Sequence, residues 1–192
     1  MKKKICIYII IFIVIVLIAL ISVYLTNYKS ADEMQELLST SDKISNMYVA
    51  HCVTYDDYSD NIKDYKVDIY VKDNVYIYYV LGRIDYANFN TKECYTRFED
   101  GEKGEVDINN VNKFNDYSMY FNLNEYTYSY VFPCYINNTW CDKVVFKENN
   151  RDYKVVLYVN KSNGLVMKEI HGDTVETFDY QFDVVTDKQM EL

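Results

Sequence analysis

The chain contains few residues that interrupt regular structure: five of its 192 residues are Gly and one is Pro. That scarcity argues against a collagen-like or low-complexity chain. Basic residues are also in the minority, with 20 Lys and Arg against 29 Asp and Glu and a formal net charge of −9. Because non-specific nucleic-acid binding requires cations that neutralise phosphates, we expect no nucleic-acid partner.

Motifs of catalysis and of metal or cofactor binding are missing from the sequence. It has no phosphate-binding loop, no Gly-x-Ser-x-Gly and no Gly-x-Gly-x-x-Gly. Its two histidines, His51 and His171, do not have metal-ligand spacing, and no Cys-x-x-Cys is present. His171 precedes Gly172 and is expected in a turn. The sequence therefore predicts a non-enzyme with no catalytic residue, metal ligand or cofactor, although Cys–His and Ser–His pairs that meet only in space stay open.

One long hydrophobic run stands at the start of the chain. Ile5–Leu25 carries no charge and follows three lysines at positions 2–4. As a helix, at about 1.5 Å per residue, this run is long enough to cross a bilayer core. The positive-inside tendency predicts a cytoplasmic stub at residues 1–4, a single plasma-membrane span at 5–25 and an extracytoplasmic α+β domain at 31–192. A cleaved signal peptide is the alternative, but the run exceeds the usual apolar region of about 7–15 residues.

The part of the chain beyond the hydrophobic run is more acidic than the whole. All 29 acidic residues follow residue 25, but only 17 of the basic ones do, which leaves a net charge of −12. A charge of that size favours solubility and repels anionic lipid surfaces. A solvated acidic surface is the simplest interpretation, and a basic partner is the alternative.

A helix is predicted directly after the membrane segment. Ser30 and Glu33 have the spacing of a capping box, in which each side chain bonds the other residue's backbone N–H. Apolar residues then recur at helical spacing, which predicts one amphipathic helix over Ala31–Tyr48. Its buried stripe would consist of Met34, Leu37, Leu38, Ser41, Ile44 and Tyr48.

Strand-like patterns follow from residue 66 onward, where apolar residues occupy every second position. About seven such segments with short turns predict an antiparallel sheet, curved around or packed against the amphipathic helix, in an α+β fold. The alternating faces are Val67, Ile69 and Val71; Tyr126, Tyr128, Tyr130 and Phe132; Tyr153, Val155, Leu157 and Val159; and Phe178, Tyr180, Phe182 and Val184.

The connections between these strands have recognisable turn residues. Asp73-Asn74, Asp100-Gly101, Asn149-Asn150 and Asn163-Gly164 are typical of tight turns. The polar, Asn-rich segment 104–120 is expected to be a long connection. Short turns elsewhere fit an antiparallel sheet.

Four cysteines lie in the external part, and Cys6 lies in the hydrophobic run. An even number of cysteines outside the cytoplasm predicts disulfides. A two-residue turn at 137–138 would place Cys134 opposite Cys141, within disulfide range. Cys52 with Cys94 then follows by elimination, and four reduced thiols remain the alternative.

The C-terminal third resembles bacterial envelope proteins of the lipoprotein-carrier type. The resemblance covers residues 125–187 and is carried by the strand–turn–strand at 153–169, with its Lys-x-x-Gly-Leu-x-x-Lys phrase, and by the closing segment 178–187. It implies an N-terminal helix followed by an antiparallel sheet curled into an unclosed barrel, whose apolar face holds acyl chains or an inserted loop. This chain departs from the pattern, because a membrane anchor is predicted where those families have a cleaved signal or a lipobox.

Two functions are therefore carried forward. The first is a membrane-anchored binding or sensing module for a lipid or another apolar ligand, and the second is a pilin-like structural or assembly subunit of a cell-surface complex. The predicted partners are the membrane, through the N-terminal helix, and a lipid or protein outside the cytoplasm. The 22 tyrosines fit either a ligand groove or ordinary strand faces. Candidate ligand contacts are Val67, Ile69, Val71, Tyr126, Tyr128, Tyr130, Phe178, Tyr180 and Phe182.

Overall fold

The computed structural model describes residues 2–40, 44–57, 61–111 and 113–191. In these ranges two α-helices precede one antiparallel sheet, and the α+β prediction is confirmed. The helices are α1 (Lys2–Asn27) and α2 (Ala31–Ser39). The strands are β1 (Asn46–Asp57), β2 (Asn61–Lys72), β3 (Val75–Val80), β4 (Arg83–Asn88), β5 (Glu93–Phe98), β6 (Lys103–Glu105), β7 (Tyr126–Ile136), β8 (Thr139–Glu148), β9 (Lys154–Asn160), β10 (Val166–His171) and β11 (Thr174–Phe182).

The strand order explains why the sheet is an open half-barrel. The order is β6-β5-β4-β3-β2-β1-β11-β10-β9-β8-β7, and every neighbouring pair is antiparallel. Almost all neighbours are also consecutive in sequence, so short turns build the sheet. The exception is β1, which pairs with β11 and so joins the two ends of the chain in the middle of the sheet. Strands β6 and β7 form the two outer edges, and the sheet does not close.

Helix α1 is the long apolar helix expected from the sequence. Its span Ile5–Asn27 is long and apolar enough to cross a membrane, a property that signal sequences share. Most of its apolar side chains are exposed, as Ile10 and Phe12 illustrate. Its C-terminal end touches the sheet, where Tyr24 packs against Tyr130 of β7 and Asn27 accepts a hydrogen bond from Lys161.

Helix α2 is shorter than predicted. The Ser30–Glu33 capping box is present, but the helix ends at Ser39, with Thr40 as its C-cap. Tyr48, predicted on the helix stripe, lies in β1, and Ser41 lies outside the described residues. The extension was wrong because residues from Asn46 onward pair with strands on both sides, and these long-range hydrogen bonds outweigh a local helical pattern.

More strands are present than the alternation indicated. The turns at Asp73-Asn74 and Asn163-Gly164 are confirmed, with positive φ at Asp73, Asn74 and Gly164. Strands β4 and β5 lack an apolar face, since Asp85 and Thr96 occupy positions that would be apolar in a core strand. Period-two hydrophobicity therefore missed them, although they pair with neighbours through regular ladders.

The core lies between the sheet and α2. We call the face that carries Val49, Ile69 and Val144 the inner face, and the opposite face the outer face. Met34 and Leu38 of α2 are almost completely buried against the inner face. Each buried side chain of this size stabilises the fold by about 1.5–3 kcal/mol relative to exposure.

Candidate functional site

The inner face is covered by two elements. One is α2, and the other is the crossing segment, residues 106–111 and 113–124, which includes the 3₁₀ helices Ile108–Asn110 and Ser118–Phe121. The sequence predicted residues 104–120 to be a connection, and the structure adds that this segment packs on the core. Because the crossing segment has short polar turns between aromatic residues, it can follow the sheet while its rings point into the core.

Aromatic side chains attach the crossing segment to the sheet. The Phe114 ring lies 5.7 Å from the ring of Phe178. Phe121 stands edge-on to Phe146 at 5.0 Å, and Phe146 is completely buried. Tyr117 donates a hydrogen bond of 3.0 Å to the buried carboxylate of Glu169. These contacts fill the part of the inner face formed by β7–β11.

A pocket of about 440 Å³ remains at the other end of the inner face. That volume falls within the 300–1,000 Å³ of typical small-molecule sites. Strands β3, β4 and β5 form its floor, and the crossing segment forms its roof. Its apolar lining includes Tyr78, Ala87, Cys94, Val111 and Phe114.

Polar groups occupy one side of this pocket. Asp85 accepts hydrogen bonds from Thr96 Oγ1 at 2.6 Å and from Arg83 Nε at 3.1 Å. Burial raises the pKa of the Cys94 thiol and that of Tyr78. The pocket therefore combines apolar walls with one ion pair, Arg83–Asp85, which suits a ligand with an apolar body and a polar end.

The nine predicted ligand contacts lie outside the lining of this pocket. Val67, Ile69, Val71, Tyr130 and Phe178 are buried in the core. The others, Tyr126, Tyr128, Tyr180 and Phe182, are half-buried or exposed. The sequence could identify an inner face, but it could not show which part of that face would be covered. Their role as ligand contacts stays a prediction.

The two histidines converge on one carboxylate, which sequence reasoning did not find. His51 Nε2 lies 2.7 Å from one oxygen of Glu176, and His171 Nε2 lies 2.8 Å from the other. Tyr153 Oη lies 3.2 Å from His171 Nδ1. His171 and Glu176 lie on the β10–β11 hairpin, whereas His51 is distant in sequence and reaches them through the β1–β11 pairing.

Electrostatics in this His–Glu–His cluster favour an ionised Glu176. Although burial opposes ionisation, hydrogen bonds from His171 and His51 lower the pKa of Glu176 to about 2. The same hydrogen bond raises the pKa of His171. Burial raises the pKa of neighbouring Glu169. Both imidazole Nε2 atoms are engaged by the carboxylate, so the cluster is a half-buried, hydrogen-bonded group on the inner face. Among the described residues, no group of three His, Cys, Asp or Glu side chains is placed to hold a metal ion.

The predicted disulfides are wrong. The register prediction is confirmed, since Cys134 pairs with Cys141 across a turn with positive φ at Asn137 and Asn138. All described cysteines are nevertheless free thiols. The Cys141 thiol donates a hydrogen bond to the Thr139 carbonyl at 3.8 Å.

The second predicted disulfide is excluded by the strand order. Cys52 lies in β1 and Cys94 in β5, with β2, β3 and β4 between them. The side chain of Cys94 lines the inner-face pocket, while Cys52 occupies an outer-face position beside Lys66. Pairing by elimination was wrong because it ignored the three intervening strands.

Comparison with known proteins identifies the fold. No protein-family model and no curated protein sequence matches this chain. The solved structure of MucB matches with a TM-score of 0.54 and 12% identity, over 84% of this chain and 62% of MucB. The Pseudomonas aeruginosa MucA/MucB complex matches with a TM-score of 0.50 and 12% identity, over 83% of this chain and 60% of that one. This chain therefore spans less than two thirds of the length of MucB.

A LolA superfamily protein from Nitrosomonas europaea also matches, with a TM-score of 0.40 and 14% identity, over 81% of this chain and 96% of that one. At such identities the similarity concerns the fold. The order of elements implied by the sequence resemblance, a helix followed by an unclosed antiparallel sheet, is confirmed. The fold of this chain is similar to that of MucB.

Proposed function

We propose that this chain is a membrane-anchored, extracytoplasmic binding module for a lipid or another apolar molecule. Residues 1–4 would lie in the cytoplasm, 5–25 would span the plasma membrane and 31–192 would form the external domain. The pocket under the crossing segment carries the proposal, because it is an opening of about 440 Å³ on the inner face that is lined largely by apolar side chains. The ligand would lie between Cys94 and Phe114, with its polar end toward Arg83.

A photoactivatable palmitic acid tests this pocket on the full chain in detergent micelles. We expect crosslinked peptides from β3–β5 and the crossing segment, together with crosslinks to α1, which serve as an internal reference in every sample. Cys94→Phe fills the pocket and should lower the pocket crosslinks several-fold. Cys52→Phe is the matched control, because it makes the same change on the outer face of β1 and should leave them unchanged.

The yield of pocket crosslinks also defines the result that would overturn the proposal. Pocket crosslinks of equal yield in the wild type, Cys94→Phe and Cys52→Phe would mean that the fatty acid does not occupy the pocket. Far-ultraviolet circular dichroism identifies a variant that has lost its fold. If Cys94→Phe does not fold, Val111→Phe replaces it in the experiment, because it introduces a phenyl ring into the pocket from the crossing segment.

A protein partner is the second candidate, and the free edges of the sheet favour it. Strands β6 and β7 each have one side without a neighbouring strand in the described sheet, and such an edge can accept a strand from another chain. MucB, whose fold is similar, has been solved in complex with MucA. In the photocrosslinking experiment, this candidate would give no pocket labelling, while co-purification of a second chain would support it.

A further inference from the structure

The tip of the β7–β8 hairpin exposes two large aromatic rings. Tyr135 and Trp140 are 57% and 61% exposed, although they pack edge-to-face on one another at 5.3 Å. Trp140 is the single Trp of the chain. We call residues 131–141 the hairpin foot. An exposed Trp–Tyr pair in a soluble region indicates a contact surface, because both side chains lose apolar exposure when they are covered.

The hairpin foot lacks charge and extends past its neighbours. Residues 126–141 contain no Asp, Glu, Lys or Arg, although such residues make up 26% of the chain. The ladder between β8 and β9 begins at Cys141 and Asn160, so residues 135–140 project beyond β9. The foot therefore offers an uncharged surface from a domain whose net charge is strongly negative.

Contacts place the foot beside the end of α1. The rings of Tyr24 and Tyr28 lie 5.7 Å and 5.6 Å from the ring of Tyr130 in β7. The Lys161 backbone N–H donates to the Trp140 carbonyl at 3.0 Å, and Lys161 Nζ donates to Asn27 Oδ1. Asn27 is the last residue of α1. One lysine thus links the foot to the exit point of the apolar helix.

The direction of β7 decides which way the foot points. Tyr128 donates a hydrogen bond of 2.9 Å to the Lys29 carbonyl, which follows α1. Two residues later, Tyr130 contacts Tyr24 inside α1. As β7 advances, it therefore runs back along α1 toward its apolar residues, and the foot lies further in that direction.

We propose that the hairpin foot rests on the outer interface of the bilayer that α1 spans, an inference that depends on the membrane anchor of the proposed function. Trp and Tyr favour the headgroup level, where the ring is apolar and its N–H or O–H remains solvated. Without charged residues, the foot has no ionic group to desolvate. The Asn137-Asn138 turn offers amide groups to lipid headgroups. The foot and α1 together would fix the orientation of the domain on the membrane.

Trp140 is a built-in fluorescent probe of this contact. The full chain is reconstituted in phosphatidylcholine vesicles, and quenching by lipids with a nitroxide at a shallow acyl position is compared with quenching by aqueous iodide. We expect emission at shorter wavelength than a solvated Trp gives and several-fold stronger quenching by the lipid quencher. The control is Trp140→Phe/Tyr153→Trp, which moves the probe to the far end of β8–β9 and should reverse the preference. Trp140→Phe/Tyr79→Trp, on the outer face, replaces it if that variant does not fold.

The outcomes separate the two proposals. If the chain does not float with the vesicles, the anchor fails and this inference fails with it. If the chain floats but iodide quenches Trp140 as strongly as it quenches the control, the foot is in water and the inference is overturned, while the anchor stands. If neither quencher reaches Trp140, a second copy or another protein covers the foot, which also overturns it.

Discussion

The two ends of the inner face have the same strand architecture but different coverage. Where α2 and the last part of the crossing segment cover the sheet, the side chains of Met34, Phe146 and Leu157 are completely buried. Over β3–β5, Val111, Phe114 and their described neighbours lie above the sheet, and a pocket of about 440 Å³ remains. The filled end has the packing of a core, whereas the open end has the volume of a binding site.

The difference shows that alternation alone does not distinguish a core from a ligand site. Both ends come from extended strands with one face turned inward. At the filled end the inward positions are large and apolar, and two elements cover them. At the open end the inward positions include Ala87, Asp85 and Thr96, which are small or polar and leave space under the roof.

The largest expected effect tests the filled end. Phe146→Ala removes a completely buried ring that contacts Tyr120, Phe121 and Tyr128. We expect the free energy of unfolding to fall by about 3–5 kcal/mol, measured by denaturant titration in detergent micelles. Phe98→Ala, at a ring that is 46% exposed near the open end, should cost about 1 kcal/mol or less. Equal losses would refute the contrast between the two ends.

The second-largest expected destabilisation concerns Gly164, which lies against α2. Gly164 has φ +71°, and a Cβ there would lie 1.8 Å from the Leu37 carbonyl oxygen of α2. Gly164→Ala should therefore destabilise the fold by roughly 3 kcal/mol, through backbone strain and displacement of α2. Gly101 has φ +85°, and no atom lies within 4 Å of a Cβ built there. Gly101→Ala therefore introduces the backbone strain without displacing a neighbouring element. The difference between their unfolding free energies measures the docking of α2, and a difference near zero would contradict it.

The smallest effect concerns the His–Glu–His cluster beside the filled end. The lowered pKa of Glu176 stabilises the fold above pH 4.5, and this contribution is lost as pH falls toward about 2. The raised pKa of His171 stabilises it below pH 6.5, and this contribution is lost as pH rises through the folded-state pKa. Both contributions are complete between pH 4.5 and 6.5.

Glu176→Gln should remove this pH dependence at a cost of about 1–2 kcal/mol within that window, since partial exposure weakens the pair. Unfolding titrations at several pH values measure it, with the exposed Glu125→Gln as control. If the unfolding free energy of Glu176→Gln depends on pH in the same way as that of the wild type, the cluster contributes nothing to stability.

Local patterns predicted much of the fold. The capping box of α2, the turn at Asp73-Asn74 and the register of Cys134 with Cys141 are each set by a few adjacent residues, and all three are present. The end of α2 depends on the pairing of β1 with strands on both sides, and β4 and β5 form through ladders with neighbouring strands rather than through an apolar face. Cys52 and Cys94 illustrate the limit, because their distance is set by three intervening strands.

Local sequence patterns could not predict the candidate site either, because its parts come together only in the folded chain. His51 reaches His171 and Glu176 only because β1 pairs with β11, a contact between the two ends of the domain. The pocket near Cys94 exists because the crossing segment returns over the sheet at that point. No spacing in the sequence records either event.

The sequence by itself determined the long apolar helix, the α+β class and the antiparallel alternation, because hydrophobic periodicity and turn residues act over a few positions. The tertiary structure decided which part of the inner face is core and which is open, and it placed the uncharged hairpin foot beside the end of α1. Those outcomes depend on how distant segments share one surface, and burial of that surface is a property of the assembled chain.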